Sequence, residues 1–159
     1  MFLNSLSKKQ KNLFMNLAIK AAEANGVVEL AEKNMLKAYS MEMEIAPFYT
    51  SDCDIETVLQ ETKAVSTKSE LRVVLFELMG ILISDKEFDE TEKAFLNKVS
   101  KTFDISQAQC DEMLQLLYDY FSLYQKIVAT VLYNVSKVDN ANRSINSNEK
   151  NTALTFLDK

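Results

Sequence analysis

Apolar residues recur along most of this chain at intervals of three and four positions, which is the spacing of one face of an α-helix. The first such segment predicts a helix over residues 7–24, ended by Asn25-Gly26, because both residues tolerate the left-handed backbone of a helix stop. A second helix is predicted over residues 30–43. It cannot continue to Pro47, since the residue before a proline is disfavoured in the helical region.

The next three segments have the same periodicity. One covers residues 54–65, one begins after a cap at Thr67 or Ser69, and one covers residues 89–103. The middle segment contains LRVVLFELMGILI and is apolar on almost every side, which is typical of a buried central helix. Gly80 within it lowers helix stability by about 1 kcal/mol relative to alanine, and the close approach of a neighbouring helix would explain its presence.

The sixth predicted helix is the longest and starts at Ser106, with a kink or break expected near Ser122. Its inner stripe is predicted to contain Cys110, Met113, Leu114, Leu117, Phe121, Tyr124, Val128, Val131 and Leu132. Four tyrosines are expected in the core or at its edge, with a partner surface as the alternative: Tyr118, Tyr120, Tyr124 and Tyr133.

The last part of the chain differs in composition from the rest. SKVDNANRSINSNEKN is rich in Asn and nearly free of large apolar residues, so residues 136–159 are predicted to be a flexible polar tail behind a helical domain at residues 1–135. The short apolar stretch TALTFL at residues 152–157 would either dock on the domain or offer a short strand or helix to a partner.

The amino-acid composition excludes several classes of functional site. The chain has 159 residues, enough for one domain with a real core, and 47% of them are hydrophobic. With two Gly and no His, it lacks a Gly-rich phosphate loop and most catalytic triads and His-metal sites. Cys53 and Cys110 are too few for a zinc site, and two free thiols are typical of a reducing cytoplasm.

Charge and hydropathy exclude further classes. A net charge of −5 disfavours nucleic acid, which binds basic surfaces. The N-terminus lacks the apolar core of a secretory signal, and the longest uncharged apolar stretch near the end is half a membrane span. We therefore expect a cytoplasmic protein without membrane insertion.

The chain also resembles itself at an offset of sixty residues. NGVVELAEKNMLKAYSMEMEI at residues 25–45 matches DKEFDETEKAFLNKVSKTFDI at residues 85–105, each preceded by an apolar helix. Such a repeat predicts two helix-loop-helix units, about 10–45 and 70–105, that pack together with approximate two-fold symmetry. The expected fold is thus all-α, with six or seven helices in one compact domain.

This duplicated pattern resembles the tellurite-resistance TerB-like family over roughly residues 10–133. The resemblance implies an all-helical fold of two pseudo-symmetric halves, with acidic residues near the two corners and divalent-metal binding. It also implies that members occur alone or beside chaperone and stress-response domains. Its pattern maps onto Asn25, Glu29 and Glu32 in the first copy and onto Asp85, Asp89 and Glu92 in the second. Asn25 replaces the usual acid and Lys86 the usual Gly.

The stretch SDKEFDETEKAFL at residues 84–96 has two interpretations. In the first, Asp89 caps a helix and Glu92 completes a capping box, while Glu90 complements the helix dipole. Asp85 would then end the preceding helix. This interpretation needs no metal.

In the second interpretation, the stretch binds a divalent cation. An EF-hand is excluded, because Glu90 and Leu96 stand where that loop has Gly and a ligating Glu. An oxygen-only site for Ca²⁺, Mg²⁺ or Mn²⁺ stays open. Its expected ligands are Asp85, Asp89 and Glu92, with Glu29 and Glu32 as weaker candidates from the first copy.

Three functions follow from these patterns. The leading hypothesis is a non-enzymatic interaction module with a protein partner, and the family resemblance suggests a stress-response complex. The alternative is a divalent-cation sensor or buffer that uses the acidic loop at residues 85–92. A carboxylate-based hydrolase is disfavoured, because it would need converging acids and the chain has no His and only two Arg. Oligomeric state does not follow from the sequence.

Overall fold

The computed structural model describes residues 2–24, 26, 28, 30–83 and 89–133 of the chain. Every regular element in these residues is helical, which confirms the all-α prediction. The six α-helices are α1 Lys8–Ala22, α2 Leu30–Glu42, α3 Ile55–Val65, α4 Lys68–Leu82, α5 Glu90–Thr102 and α6 Gln107–Val128. A 3-10 turn at Leu3–Ser5 precedes α1, and a π-helical turn at Ala129–Tyr133 follows α6.

Side-chain caps start the first and fourth helices in the same way. The Ser7 hydroxyl accepts a hydrogen bond from the backbone N–H of Gln10, whose side chain accepts one from the N–H of Ser7. Thr67 and Glu70 form the same reciprocal pair before α4, so Thr67 is the cap and Ser69 is not. Each box satisfies two backbone donors that a helix start otherwise leaves unpaired.

Helix α1 lies at the centre of the helical domain. It packs against α2, α3 and α4, while α5 packs against both α3 and α4. The largest fully buried side chains include Phe14, Met15, Leu17, Leu36, Leu59, Leu75 and Leu78. Nine residues of α4 are buried, as its apolar sequence predicts. Burial of apolar surface by these helices is the main term that stabilises the fold.

The approach of α2 to α4 only partly explains why a glycine stands in the middle of α4. A Cβ added at Gly80 would lie 3.5 Å from the Tyr39 hydroxyl oxygen and 3.9 Å from the terminal carbon of Met35. Both distances are ordinary van der Waals contacts. The neighbouring helix is therefore close, as expected, but it leaves room for a methyl group.

The two segments related by the offset of sixty have matching local structure. The bounds of α4 and α5 are those of α1 and α2 plus sixty residues. Glu44 and Asp104 follow α2 and α5 with the same φ of 55°. In both places the backbone N–H of the following Ile donates a hydrogen bond to the carbonyl five residues earlier, at 3.1 Å from Ile45 to Ser40 and 2.9 Å from Ile105 to Ser100. These are Schellman motifs. A two-fold arrangement of the helix pairs in space stays a prediction.

Glu44 offers a direct test of this geometry. Its side chain is exposed, and its left-handed backbone disfavours any residue with a Cβ. We expect Glu44→Gly to raise the free energy of unfolding by about 0.5–1 kcal/mol, measured by urea denaturation. Glu44→Ala is the matched control and should give no such gain, because alanine keeps the strain. Equal stability of the two variants would contradict the prediction.

The chain divides into two compact units, Met1–Leu114 and Gln115–Lys159, of which the second is described through residue 133. Of the kink or break predicted near Ser122, the break is wrong, because α6 is a continuous helix from Gln107 to Val128, and the kink stays a prediction. Val131 and Leu132 are exposed rather than part of an inner stripe. The predicted tail at residues 136–159 and its TALTFL segment lie outside the described residues. No helix among those described is long and apolar enough to span a bilayer.

Candidate functional site

The acidic residues singled out by the sequence fall into two groups. Asp89, Glu92 and Glu32 lie in the described structure, whereas Asp85 and Glu29 lie outside it. Asp89 is exposed and stands immediately before α5. Glu92 and Glu32 hold equivalent positions in α5 and α2, and their residues are only 1% and 4% exposed. The two buried carboxylates are thus a property of both copies of the repeat.

Asp89 and Glu92 form the capping box that their spacing predicts. The Oδ1 atom of Asp89 accepts hydrogen bonds from the backbone N–H of Thr91 at 2.7 Å, from its hydroxyl at 2.6 Å, and from the N–H of Glu92 at 2.9 Å. In return, Oε2 of Glu92 accepts from the N–H of Asp89 at 2.8 Å. The extended backbone of Asp89, with ψ of 176°, aims its carboxylate at the helix start.

These bonds also set the charge of the site. The hydrogen bond from the Thr91 hydroxyl, followed by that from the Glu92 backbone, lowers the pKa of Asp89 below its ordinary value. The carboxylate is therefore charged at neutral pH, where it complements the positive end of the α5 dipole. Glu90 in the same turn pairs with Lys93 at 2.7 Å.

The described residues alone do not provide enough grouped acidic ligands for a cation site. Across residues 30–83 and 89–133, together with the described residues before them, no three Asp, Glu or Cys side chains are grouped to hold a metal ion. Glu32 therefore does not complete a cluster with Asp89 and Glu92. Of the predicted second-copy ligands, the structure brings together Asp89 and Glu92, as partners in a cap. Oδ2 of Asp89 accepts none of the three hydrogen bonds described above.

The two cysteines are unpaired thiols in different environments. Cys53 is exposed and Cys110 is buried. Burial raises the pKa of Cys110, opposed by a hydrogen bond from Ser100 and reinforced by the nearby Asp111. A raised pKa keeps the thiol protonated, which is the reverse of an activated nucleophile. Cys110 lines a groove of about 400 Å³ with Met79, Lys93 and Leu96, among others, which the sequence did not predict.

A second buried polar cluster joins α2 and α4 to the N-terminal segment. The Tyr39 hydroxyl donates a hydrogen bond to the backbone carbonyl of Glu77 at 2.8 Å. The Glu77 side chain accepts from the N–H of Phe2 at 2.8 Å, and that of Glu42 from the N–H of Leu3 at 3.0 Å. These carboxylates anchor the start of the chain, so we assign them a structural role.

The environment of Tyr39 predicts a loss of stability at alkaline pH. Burial, and then the Glu77 and Glu42 carboxylates, raise the pKa of Tyr39 well above its ordinary value. The neutral hydroxyl therefore contributes stability that is complete below the unfolded-state pKa of about 10 and is lost as pH rises through the folded-state value. We expect Tyr39→Phe to cost about 1 kcal/mol at pH 8 by urea denaturation, through the lost hydrogen bond. Above about pH 10 its deficit should shrink, and a constant deficit would contradict this mechanism.

A stripe of exposed apolar side chains along α6 was not predicted from the sequence. Leu116, Leu123 and Ile127 are 56%, 58% and 50% exposed, and their spacing of seven and four residues places them on one helix face. Tyr120 lies between them on the same face and is half-buried, stacked on Tyr124 with ring centroids 6.4 Å apart. We call Leu116, Tyr120, Leu123 and Ile127 the α6 stripe. Its spacing of 4, 3 and 4 residues was the signal that could have identified it.

Comparisons with known proteins agree with this architecture. The family model described as tellurite resistance protein TerB matches residues 4–115. The crystal structure of a tellurite resistance protein from Nostoc punctiforme resembles the chain with a TM-score of 0.63 and 22% sequence identity, over 80% of this chain and 82% of that one. A search among curated proteins gives no match. The structural likeness shows the fold, and the family match covers more than two thirds of the sequence; the chain belongs to the TerB family.

Proposed function

We propose that this chain is a non-enzymatic TerB-like module that binds a protein partner in the cytoplasm. The observation that carries the proposal is the α6 stripe, in which three large apolar side chains are at least half exposed on one helix face. A contiguous apolar face of this kind on a folded protein commonly marks a site of protein association. The two unpaired thiols support a reducing compartment.

The biological setting is proposed from the family. The family model and the structural relative are both described by tellurite resistance, and on that basis we place the module in a stress-response complex. We also propose that the domain consists of two pseudo-symmetric halves. The equal helix bounds and the two Schellman motifs at an offset of sixty residues support that arrangement.

In-cell cross-linking of the full chain tests the interaction. Proteins cross-linked to the wild type should be lost or strongly reduced with Leu123→Glu, which puts a charge in the middle of the α6 stripe. Gln125→Glu is the matched control, because it adds the same charge to an exposed position on the far side of the same helix. An identical set of cross-linked proteins from all three chains would refute the proposal.

The second candidate function is a divalent-cation sensor or buffer at the start of α5. One observation favours it: the buried Glu92 carboxylate lies beside Asp89, whose Oδ2 accepts none of the capping bonds. Asp89, Glu92 and Asp85, with Glu29 and Glu32 as weaker candidates, would provide oxygen ligands of the kind that Ca²⁺, Mg²⁺ and Mn²⁺ prefer. The capping box already accounts for the geometry of Asp89, so we rank this function second.

A further inference from the structure

We propose that the α6 stripe binds the α6 stripe of a second copy of this chain, as an antiparallel pair of helices. This inference rests on the interaction function proposed above, because it assigns one partner to the same surface. It adds an occupant and an orientation that the family membership does not specify.

The spacing of the stripe is the first argument. Leu116, Tyr120, Leu123 and Ile127 are separated by 4, 3 and 4 residues, which is the alternation of a coiled-coil seam. The order 4, 3, 4 is the same in both directions. A two-fold axis between positions 121 and 122 therefore places Leu116 opposite Ile127 and Tyr120 opposite Leu123. Such an interface is self-complementary, as a closed dimer of identical chains requires.

Charge is the second and independent argument. Asp119 and Lys126 are exposed and flank the same edge of the stripe, where a coiled coil places the residues that select partner and orientation. In the antiparallel pair, Asp119 of one copy lies beside Lys126 of the other, and the two-fold axis repeats the contact. A parallel pair in register would bring Asp119 beside Tyr124 instead. Asp119 also accepts a hydrogen bond from Gln115 at 3.0 Å within its own helix, which holds the carboxylate on this edge.

The size of the seam predicts a weak dimer. Leu116 to Ile127 covers about 17 Å of helix, with four side chains from each copy, so the interface is smaller than the roughly 1,200–2,000 Å² of stable complexes. We expect a dissociation constant of about 1–100 µM, with the exposed ion pairs setting orientation more than strength.

Sedimentation velocity of the purified full chain, from about 1 µM to about 1 mM, tests the proposal. The wild type should change from monomer to dimer over this range. Leu123→Glu should weaken the dimer at least about tenfold, whereas Gln125→Glu should leave it unchanged. Asp119→Lys should weaken it, and the double change Asp119→Lys/Lys126→Asp should restore it, because that change exchanges the partners of each ion pair.

Four outcomes would overturn the inference. A wild type that stays monomeric over the whole concentration range would exclude self-association. That result would leave the proposed function open, because the in-cell cross-links test it separately. A dimer that resists Leu123→Glu would place the interface elsewhere. A double charge exchange that fails to restore dimerisation would exclude the antiparallel arrangement. A monomeric wild type that dimerises after Leu154→Glu/Phe156→Glu would show that the chain's own C-terminal segment covers the stripe.

Discussion

Replacing Phe14 with alanine is expected to destabilise the domain by about 3–5 kcal/mol, the range for a large side chain removed from a core. Phe14 is fully buried in α1, the helix that contacts α2, α3 and α4. Its ring meets that of Tyr39 edge to face, with centroids 5.2 Å apart. The variant loses the transfer free energy of the ring and leaves a cavity that four helices cannot easily close.

Urea denaturation of the wild type and the variant measures this effect. Since domains of this size are typically stable by about 5–15 kcal/mol, the loss would remove a large share of the total. Phe2→Ala is the matched control, because Phe2 is 51% exposed and should cost well under half as much. Equal losses from the two variants would show that α1 is not the centre of the core.

Substitutions at Asp89 are expected to separate a helix cap from a cation ligand. Asp89→Ala should lower the melting temperature by roughly 3 °C, because the N–H groups of Thr91 and Glu92 lose their acceptor. Asp89→Ser should retain the wild-type value, since serine is also a strong N-cap but offers no carboxylate. A serine variant as unstable as the alanine variant would contradict the capping role.

The same variants test the cation function when chelator-treated protein is melted with and without millimolar Ca²⁺, Mg²⁺ or Mn²⁺. A cation that binds only the folded state, at about 100 times its Kd, would add about 2.7 kcal/mol to the free energy of unfolding. If the second candidate holds, that gain appears in the wild type and disappears in Asp89→Ser. A cap alone predicts equal melting with and without the ions, and that result would remove the second candidate.

Acid titration gives a further check on Asp89. Because its pKa is lowered in the folded state, its contribution to stability is present above the unfolded-state pKa of about 3.9 and is lost as pH falls through the folded-state value. Asp89→Ser should therefore lose less stability than the wild type on acidification below about pH 4. Parallel acid profiles for the two proteins would argue against the hydrogen-bonded carboxylate.

Much of the architecture follows from local sequence signals. Apolar periodicity places α1, α2, α3 and α5 within two residues of their observed bounds. The short polar motifs predict the cap at Asp89 and a cap at Thr67 or Ser69. Capping bonds join residues three positions apart, so their partners can be found without knowledge of the fold. The duplication at an offset of sixty was also visible in the sequence, and the same helix stop recurs after α2 and α5.

The burial and the hydrogen-bond partners of the candidate functional residues could be determined only from the packed helices. Periodicity shows that a helix has apolar faces but not which of two apolar faces is exposed, so Leu116, Leu123 and Ile127 were not predicted beside the expected inner stripe. Likewise, acidity at position 92 indicated a cap but not its burial. Long-range partners such as the Glu77 carbonyl for Tyr39 depend on helices that are distant in sequence. Local order therefore lies in the sequence, whereas exposure and charge environment arise only when the helices are brought together.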